Sequence, residues 1–316
     1  MKKFFPVILA GVAAAVVLVG CLVWYHNAVP ATDPDQQSLQ TPEDNTDPVS
    51  DALFTPQTYP RVDASLAIHP LMDALAADFL DMPVEDLAFT YTSGRTSDVY
   101  RRLIDGEVDV IFAAEISEED KAYAKDKGVE LTILPATASA FVFIVNTENP
   151  VNGLTLAQIQ DIYAGKITNW SQVGGNDAPI LAYQRPTGSG SQTAMLSLVM
   201  KDIPMMTPPT EQISAEMGEL VDAIAQYDNA KDALGYSYFY YVNTMYKRDT
   251  IKMLSVDGVA PTIETIKDGS YPIFTNGFIV LRADEAADSA VRKWVDAVLS
   301  ERGSAVIEAE GYVPVN

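Results

Sequence analysis

The chain has 316 residues, 48% of them apolar, and its 43 Asp and Glu against 21 Lys and Arg give a formal charge of −22. That length and apolar content allow a substantial core divided between two lobes of ordinary domain size. The acidity reads as solubility and excludes a nucleic-acid surface, because phosphate contacts need clustered Lys and Arg that this sequence does not carry.

Met1-Lys2-Lys3 supplies a positive n-region and residues 4–20 an uncharged apolar stretch, so residues 1–20 are expected to be an export signal. The single cysteine, Cys21, follows Leu18-Val19-Gly20, which resembles the lipobox of bacterial lipoproteins, where that Cys is acylated and becomes the new N-terminus. A lone exported Cys forms no internal disulfide. Leu22, Val23, Trp24 and Tyr25 prolong the apolar run to about the length of a spanning helix, so an uncleaved N-terminal membrane anchor is the second reading. Both readings put the rest of the chain outside the cytoplasm. Residues 26–55 then carry six acids and no Lys or Arg among Pro, Thr, Gln and Ser, which predicts a disordered acidic tether over 21–55.

Beyond the tether, strand-like runs at 66–67, 87–91 and 108–114 alternate with helical patterns at 69–80 and 99–104, the mark of an α/β lobe with a mostly parallel sheet. Ile68, Leu71, Met72, Leu75 and Phe79 share one helical face, and Pro70 falls in the first turn, where its missing N–H does no harm. The run 140–145 reads as a buried strand, and Asn146-Thr147-Glu148-Asn149-Pro150 after it as a turn crossing into a second lobe. Residues 277–281 repeat that strand character before a final helical region over 285–308. Two crossings predict a discontinuous first lobe, 56–144 plus 276–316, around a second lobe at 145–275.

In open α/β sheets, ligands sit beyond the carboxyl ends of strands, where helix N-termini present free N–H groups. Three segments have that form. The first offers the Ser65 hydroxyl and the Leu66 and Ala67 amides; the second, Thr92-Ser93-Gly94-Arg95-Thr96-Ser97-Asp98, offers Arg95 and Thr96. The third is Arg185-Pro186-Thr187-Gly188-Ser189-Gly190-Ser191, followed by Met195, Leu196, Val199 and Met200 at helical spacing. Its glycines admit close approach, its hydroxyls and amides donate, and Arg185 offers a planar fork for a tetrahedral oxyanion. A plain helix N-cap is the other reading of this loop. Glu115 follows the strand at 108–114; beside an anion it would repel unless the anion carries a proton to donate, which hydrogen phosphate does and sulfate does not.

Residues 151–175 contain Asp161-Ile162-Tyr163-Ala164-Gly165-Lys166-Ile167-Thr168-Asn169-Trp170, and this block resembles the signature of phosphate ABC-transporter substrate-binding proteins, the PstS-like family. Arg185 with Gly188-Ser189-Gly190-Ser191 is similar to that family's phosphate loop, and Gly311-Tyr312-Val313-Pro314-Val315 to its ending. The resemblance spans 60–316. It implies an α/β, two-lobed periplasmic-binding-protein type II fold, with mixed sheets flanked by helices and two interlobe crossings. It also implies capture of inorganic phosphate or a related oxyanion, delivery to ABC permease and ATPase subunits, a monomer, and no cofactor or metal. Arg185, Ser189, Gly190 and Ser191 match the family's anion contacts, and Glu115 stands where its proton-accepting acid, more often Asp, is found. Departures are Ala64 for Gly, Leu66 for a hydroxyl residue, and Arg95 within a loop that is usually rich in Gly and Ser; another oxyanion or a small carboxylate is therefore the alternative ligand.

An enzyme is not expected. The only histidines are His26 and His69, no Ser-His-Asp set is legible, and the third segment is not the Gly-x-Ser-x-Gly elbow. A sensing or scaffolding role without a transporter is the second binding-protein reading. Tyr236-Ser237-Tyr238-Phe239-Tyr240-Tyr241 is read as an ordinary strand or lobe-packing element in preference to a sugar-stacking platform.

Overall fold

The computed structural model describes residues 51–87, 94–226 and 230–315. The export signal, Cys21 and nearly all of the tether lie outside the described residues, as do Thr92, Ser93 and all but the first position of the strand expected at 87–91. Among the described residues no helix is long and apolar enough to cross a membrane.

The first half of the chain folds as β1 (Val62–Ala64), α1 (His69–Leu80), α2 (Thr96–Ile104), β2 (Val110–Ala113), α3 (Glu118–Asp126), β3 (Leu131–Asn146), β4 (Gly153–Leu154) and α4 (Leu156–Tyr163). The second half adds β5 (Leu181–Ala182), α5 (Gly190–Ala194), α6 (Met217–Gln226), β6 (Ala233–Tyr238), β7 (Ile251–Met253), β8 (Ser255–Val256), α7 (Ile263–Lys267), β9 (Phe274–Arg282), α8 (Ala290–Val298), α9 (Glu301–Ala309) and β10 (Val313–Pro314). The main sheet runs β1-β2-β9-β3-β6-β5, with β7 and β10 also paired to β3; β4 and β8 form a small parallel pair. Strand β3 carries both parts of the sheet: residues 131–140 pair with β9, and its last six residues pair with β6 and β7.

Two expectations need correction. The strand expected at 66–67 lies earlier, at Val62–Ala64, and Leu66–Ile68 form a tight turn into α1. The Ser65 N–H makes the last bond toward β2, to Phe112 O at 3.1 Å, and its carbonyl then accepts from Ile68 N–H at 2.8 Å, which closes the turn. The sheet is also not mostly parallel. Pairs β1/β2 and β5/β6 are parallel, but β9 is antiparallel to β2 and β3, and β6 and β7 are antiparallel to β3. An apolar run reports burial on both faces and carries no record of the direction from which its neighbour arrives. The final helical region consists of α8 and α9; Ser300 lies between them and caps α9, its Oγ accepting from Gly303 N–H at 3.2 Å.

Two large apolar cores flank the middle of β3. One packs Leu71, Met72, Leu75 and Phe79 of α1 against Phe112, Leu281, Trp294 and Ile307. The other packs Phe141, Phe143, Ile159, Tyr163, Leu220 and Tyr236 around Trp170. Each such side chain contributes about 1.5–3 kcal/mol through burial, and truncating Phe79 or Trp294 to Ala would cost about 3–5 kcal/mol. The indole N–H groups are satisfied: Trp294 donates to Tyr59 Oη and Trp170 to Asp232 O, each at 2.9 Å.

The block at 151–175 is scaffold. Thr155 Oγ1 accepts from Gln158 N–H at 3.1 Å while Gln158 Oε1 accepts from Thr155 N–H at 2.9 Å, a reciprocal cap that starts α4. Asn169 Oδ1 caps the short turn Trp170–Val173 by accepting from Ser171 N–H at 2.9 Å.

Candidate functional site

A cavity of about 370 Å³ opens where the ends of β1 and β2 meet the start of α2, the loop before α5 and the end of β6. Of the ten residues singled out from the sequence, nine line it: Ser65, Leu66, Ala67, Arg95, Thr96, Arg185, Ser189, Gly190 and Ser191. Glu115 does not, although its neighbour Ala114 does; its carboxylate instead accepts from Ser197 Oγ at 2.6 Å.

Local chemistry explains how the loop before α5 is held. Ser189 is the N-cap of α5, its Oγ accepting from Gln192 N–H at 3.2 Å, so the capping reading and a place in the cavity wall hold together. Gly188 adopts φ +86°, and its carbonyl accepts from Ser97 N–H at 3.2 Å, which ties this loop to the first turn of α2. Gly190 is required by close approach: a Cβ there would stand 2.5 Å from Thr96 Oγ1, 3.0 Å from Ala114 Cβ and 3.3 Å from Tyr238 Oη.

Arg185 is only 7% exposed. Its backbone N–H donates to Tyr236 Oη at 2.9 Å and Gln192 Oε1 at 3.1 Å, while Tyr236 Oη donates to that same Gln192 oxygen. Its Nη2 donates to Ala215 O at 3.0 Å. Burial pulls the guanidinium below its ordinary pKa, and the Glu216 carboxylate acts in the opposite direction. Such a group remains a cation at any physiological pH.

Three buried polar atoms of this wall have no hydrogen-bond partner among the described residues: Arg185 Nε, Ser191 Oγ and Tyr238 Oη. Leaving a buried polar atom without a partner costs about 1–3 kcal/mol, so a ligand with several acceptor oxygens in this cavity would gain by pairing with these groups. Burial, reinforced by the nearby Glu115 charge, pushes the Tyr238 phenol far above its ordinary value, so it is held as a donor. The N-terminal end of the α2 dipole adds partial positive charge. At the rim, Arg95 N–H donates to Asp98 Oδ2 at 3.1 Å, and Ser65 Oγ and Thr96 Oγ1 lie 3.2 Å apart. Arg95 and Arg185 are matched by Asp98 and Glu216, so the charges lining the cavity balance in a chain that is otherwise strongly acidic.

The sequence reading missed the aromatic part of the wall. Tyr238, Tyr240, Tyr241 and Tyr312 all line the cavity. The segment at 236–241 does include a strand, β6, but its alternation also held a signal: Tyr236 and Tyr238 share one face of β6, where Tyr236 braces the Arg185 backbone and Tyr238 reaches the cavity. His69 is outside the cavity wall, its ring Nε2 lying 2.9 Å from Ala64 O.

Residues 55–302 match the family model described as a PBP superfamily domain. The phosphate-binding protein PstS of Bacillus subtilis (strain 168) is 24% identical over 258 residues, 80% of each chain. Protein SphX of Synechococcus elongatus is 26% identical over 263 residues, 80% of this chain and 76% of that one. A crystal structure from Clostridium perfringens, assigned to a phosphate ABC transporter substrate-binding protein and holding bound phosphate, superposes with a TM-score of 0.63 at 27% identity, covering 81% of this chain and 98% of its own.

Proposed function

The chain belongs to the PBP superfamily, and from that premise we propose that it is an extracytoplasmic solute-binding protein that captures inorganic phosphate or a closely related oxyanion for an ABC transporter. The observation that carries this reading is that the buried Arg185 Nε, Ser191 Oγ and Tyr238 Oη, on residues lining one cavity, have no hydrogen-bond partner among the described residues. The relatives' names support the ligand and the transporter partners, an ABC permease and its ATPase. The family consists of binding proteins rather than enzymes.

The lobes in this reading are 56–144 plus 276–316 and 145–275, joined by β3 and β9. The anion enters between them and the guanidinium of Arg185 takes one edge of it, while the α2 and α5 amides with Ser191 and Tyr238 take the remaining oxygens. Closure removes water, and short-range dipolar contacts then act with little opposition from the distant negative surface. Glu115, one residue beyond the cavity wall, turns from Ser197 to accept the proton of hydrogen phosphate, which sulfate lacks. Acylated Cys21 tethers the monomer to the outer face of the membrane; an uncleaved N-terminal helix would do the same.

Titration calorimetry on the full chain in mild detergent, stripped of endogenous ligand, tests this against phosphate, sulfate, molybdate and a small carboxylate near neutral pH. Tight binding of phosphate without sulfate is expected. Silence with all four would overturn the oxyanion reading and leave the family membership untouched.

A further inference from the structure

The cavity is larger than inorganic phosphate needs. At about 30 Å³ per water, its roughly 370 Å³ would hold about twelve waters. Even if each of the five heavy atoms of phosphate took a whole water's share, about 150 Å³, more than half the space would be left. Much of the remaining wall is aromatic or apolar: Tyr240, Tyr241 and Tyr312 line the cavity with Met217, and each is 5–8% exposed. Water held there would find few partners, whereas an apolar group would bury well.

The wall has two chemically different parts. The polar part gathers Thr96, Gly190 and Tyr238 Oη, which a Cβ on Gly190 would touch together, with Arg185 and Ser191. The aromatic part is a slab, Tyr240 stacked on Tyr312 with ring centroids 3.6 Å apart and planes 21° from parallel. Tyr312 Oη donates to Ala67 O at 2.6 Å, which fixes that slab beside the turn Leu66–Ile68.

Building on the oxyanion reading, we propose that the preferred ligand is an organic oxyanion: a phosphate monoester or phosphonate whose head is held by Arg185, Ser191 and Tyr238 and whose substituent packs on the Tyr240–Tyr312 slab. The space left over fits a substituent of about seven heavy atoms by the same volume count. A flat, apolar substituent suits the stacked rings, which favour offset or edge contacts with another ring.

The test is calorimetry on the full, ligand-stripped chain with inorganic phosphate, phenyl phosphate and phenol. Phenyl phosphate is expected to bind about tenfold more tightly than phosphate, with phenol far weaker than either. Tyr240→Leu should lower the preference for phenyl phosphate over phosphate; the comparison in the unaltered chain stands whether or not this variant folds. Phosphate bound tightly with phenyl phosphate equal or weaker would overturn this proposal alone. Phenol binding as tightly as phenyl phosphate would overturn it too, since the head would then not be the anchor. Silence with both oxyanions would overturn the oxyanion reading and this proposal together.

Discussion

The carboxylate of Glu115 accepts a hydrogen bond from Ser197 Oγ at 2.6 Å, joining positions 82 residues apart in the chain. With the Ser97 N–H to Gly188 O bond at 3.2 Å, it links the segments that follow β2 and begin α2 to the loop before α5 and the helical turn Met195–Met200 after it.

Exchanging the carboxylate for an amide tests the selectivity assigned to Glu115. An ionised carboxylate only accepts, whereas an amide also donates, so Glu115→Gln removes the repulsion felt by a fully ionised anion. Sulfate affinity relative to phosphate is expected to rise at least about tenfold, which is about 1.4 kcal/mol, in competition calorimetry. Ser197→Ala should leave that ratio unchanged, because it removes only the partner on the far side.

Arg185 should matter for binding far more than for folding. Arg185→Met removes a buried cation whose Nε has no partner among the described residues, and the Ala215 carbonyl it releases belongs to an exposed residue that water can reach. The melting temperature is expected to stay level or rise, while phosphate affinity falls at least about 30-fold. Arg185→Glu should abolish binding; a variant of this kind that still bound phosphate normally would displace the site from this cavity.

A single methyl at Gly190 should block the site. Its carbon would meet Thr96 Oγ1, the Ala114 side chain and Tyr238 Oη, so the neighbours must part or the α5 loop must withdraw. Gly190→Ala is expected to cost about 1–3 kcal/mol of stability as an overpacking change and to remove phosphate binding, with far-ultraviolet circular dichroism retained.

Acid sensitivity should arise in part at Asp109, far from the ligand. Its burial alone would raise the pKa, but Arg61 donates to it from Nε at 3.0 Å, Nη2 at 2.6 Å and the backbone N–H at 2.9 Å, and the charges of Arg61 and Arg282 add to this. The net effect holds the carboxyl below its ordinary value. A folded pKa below the unfolded one, about 3.9, stabilises the fold fully above that pH and is lost as pH falls through the lower folded value. Asp109→Asn should therefore lower the melting temperature by about 2–4 °C at neutral pH, about 1 kcal/mol after allowance for partial exposure. The gap from the parent should close below about pH 3.9, which a series of melting curves from pH 7 to pH 3 reads directly.

Much of this protein was legible in the order of its residues, because the governing interactions are local. Periodicity and Pro70 mark α1 at its observed bounds, His69–Leu80, and the apolar runs at 140–145 and 277–281 mark two long strands. The Thr155–Gln158 and Asn169–Ser171 caps lie within three residues of chain, so the block that carries the family resemblance builds itself and makes no part of the cavity wall. The Arg185–Ser191 loop was legible for the same reason: glycine, hydroxyl and N-cap chemistry act within one turn. Strand direction was not, since Val110–Ala113 and Phe274–Arg282 look alike whichever way they pair. Nor was the aromatic wall, because Tyr240 and Tyr312 meet only after β3, β9 and α9 have brought distant segments together. Cavity volume, the stacked slab and the Glu115–Ser197 bond depend on distances between residues far apart in the chain, and those distances exist only once the two cores have packed.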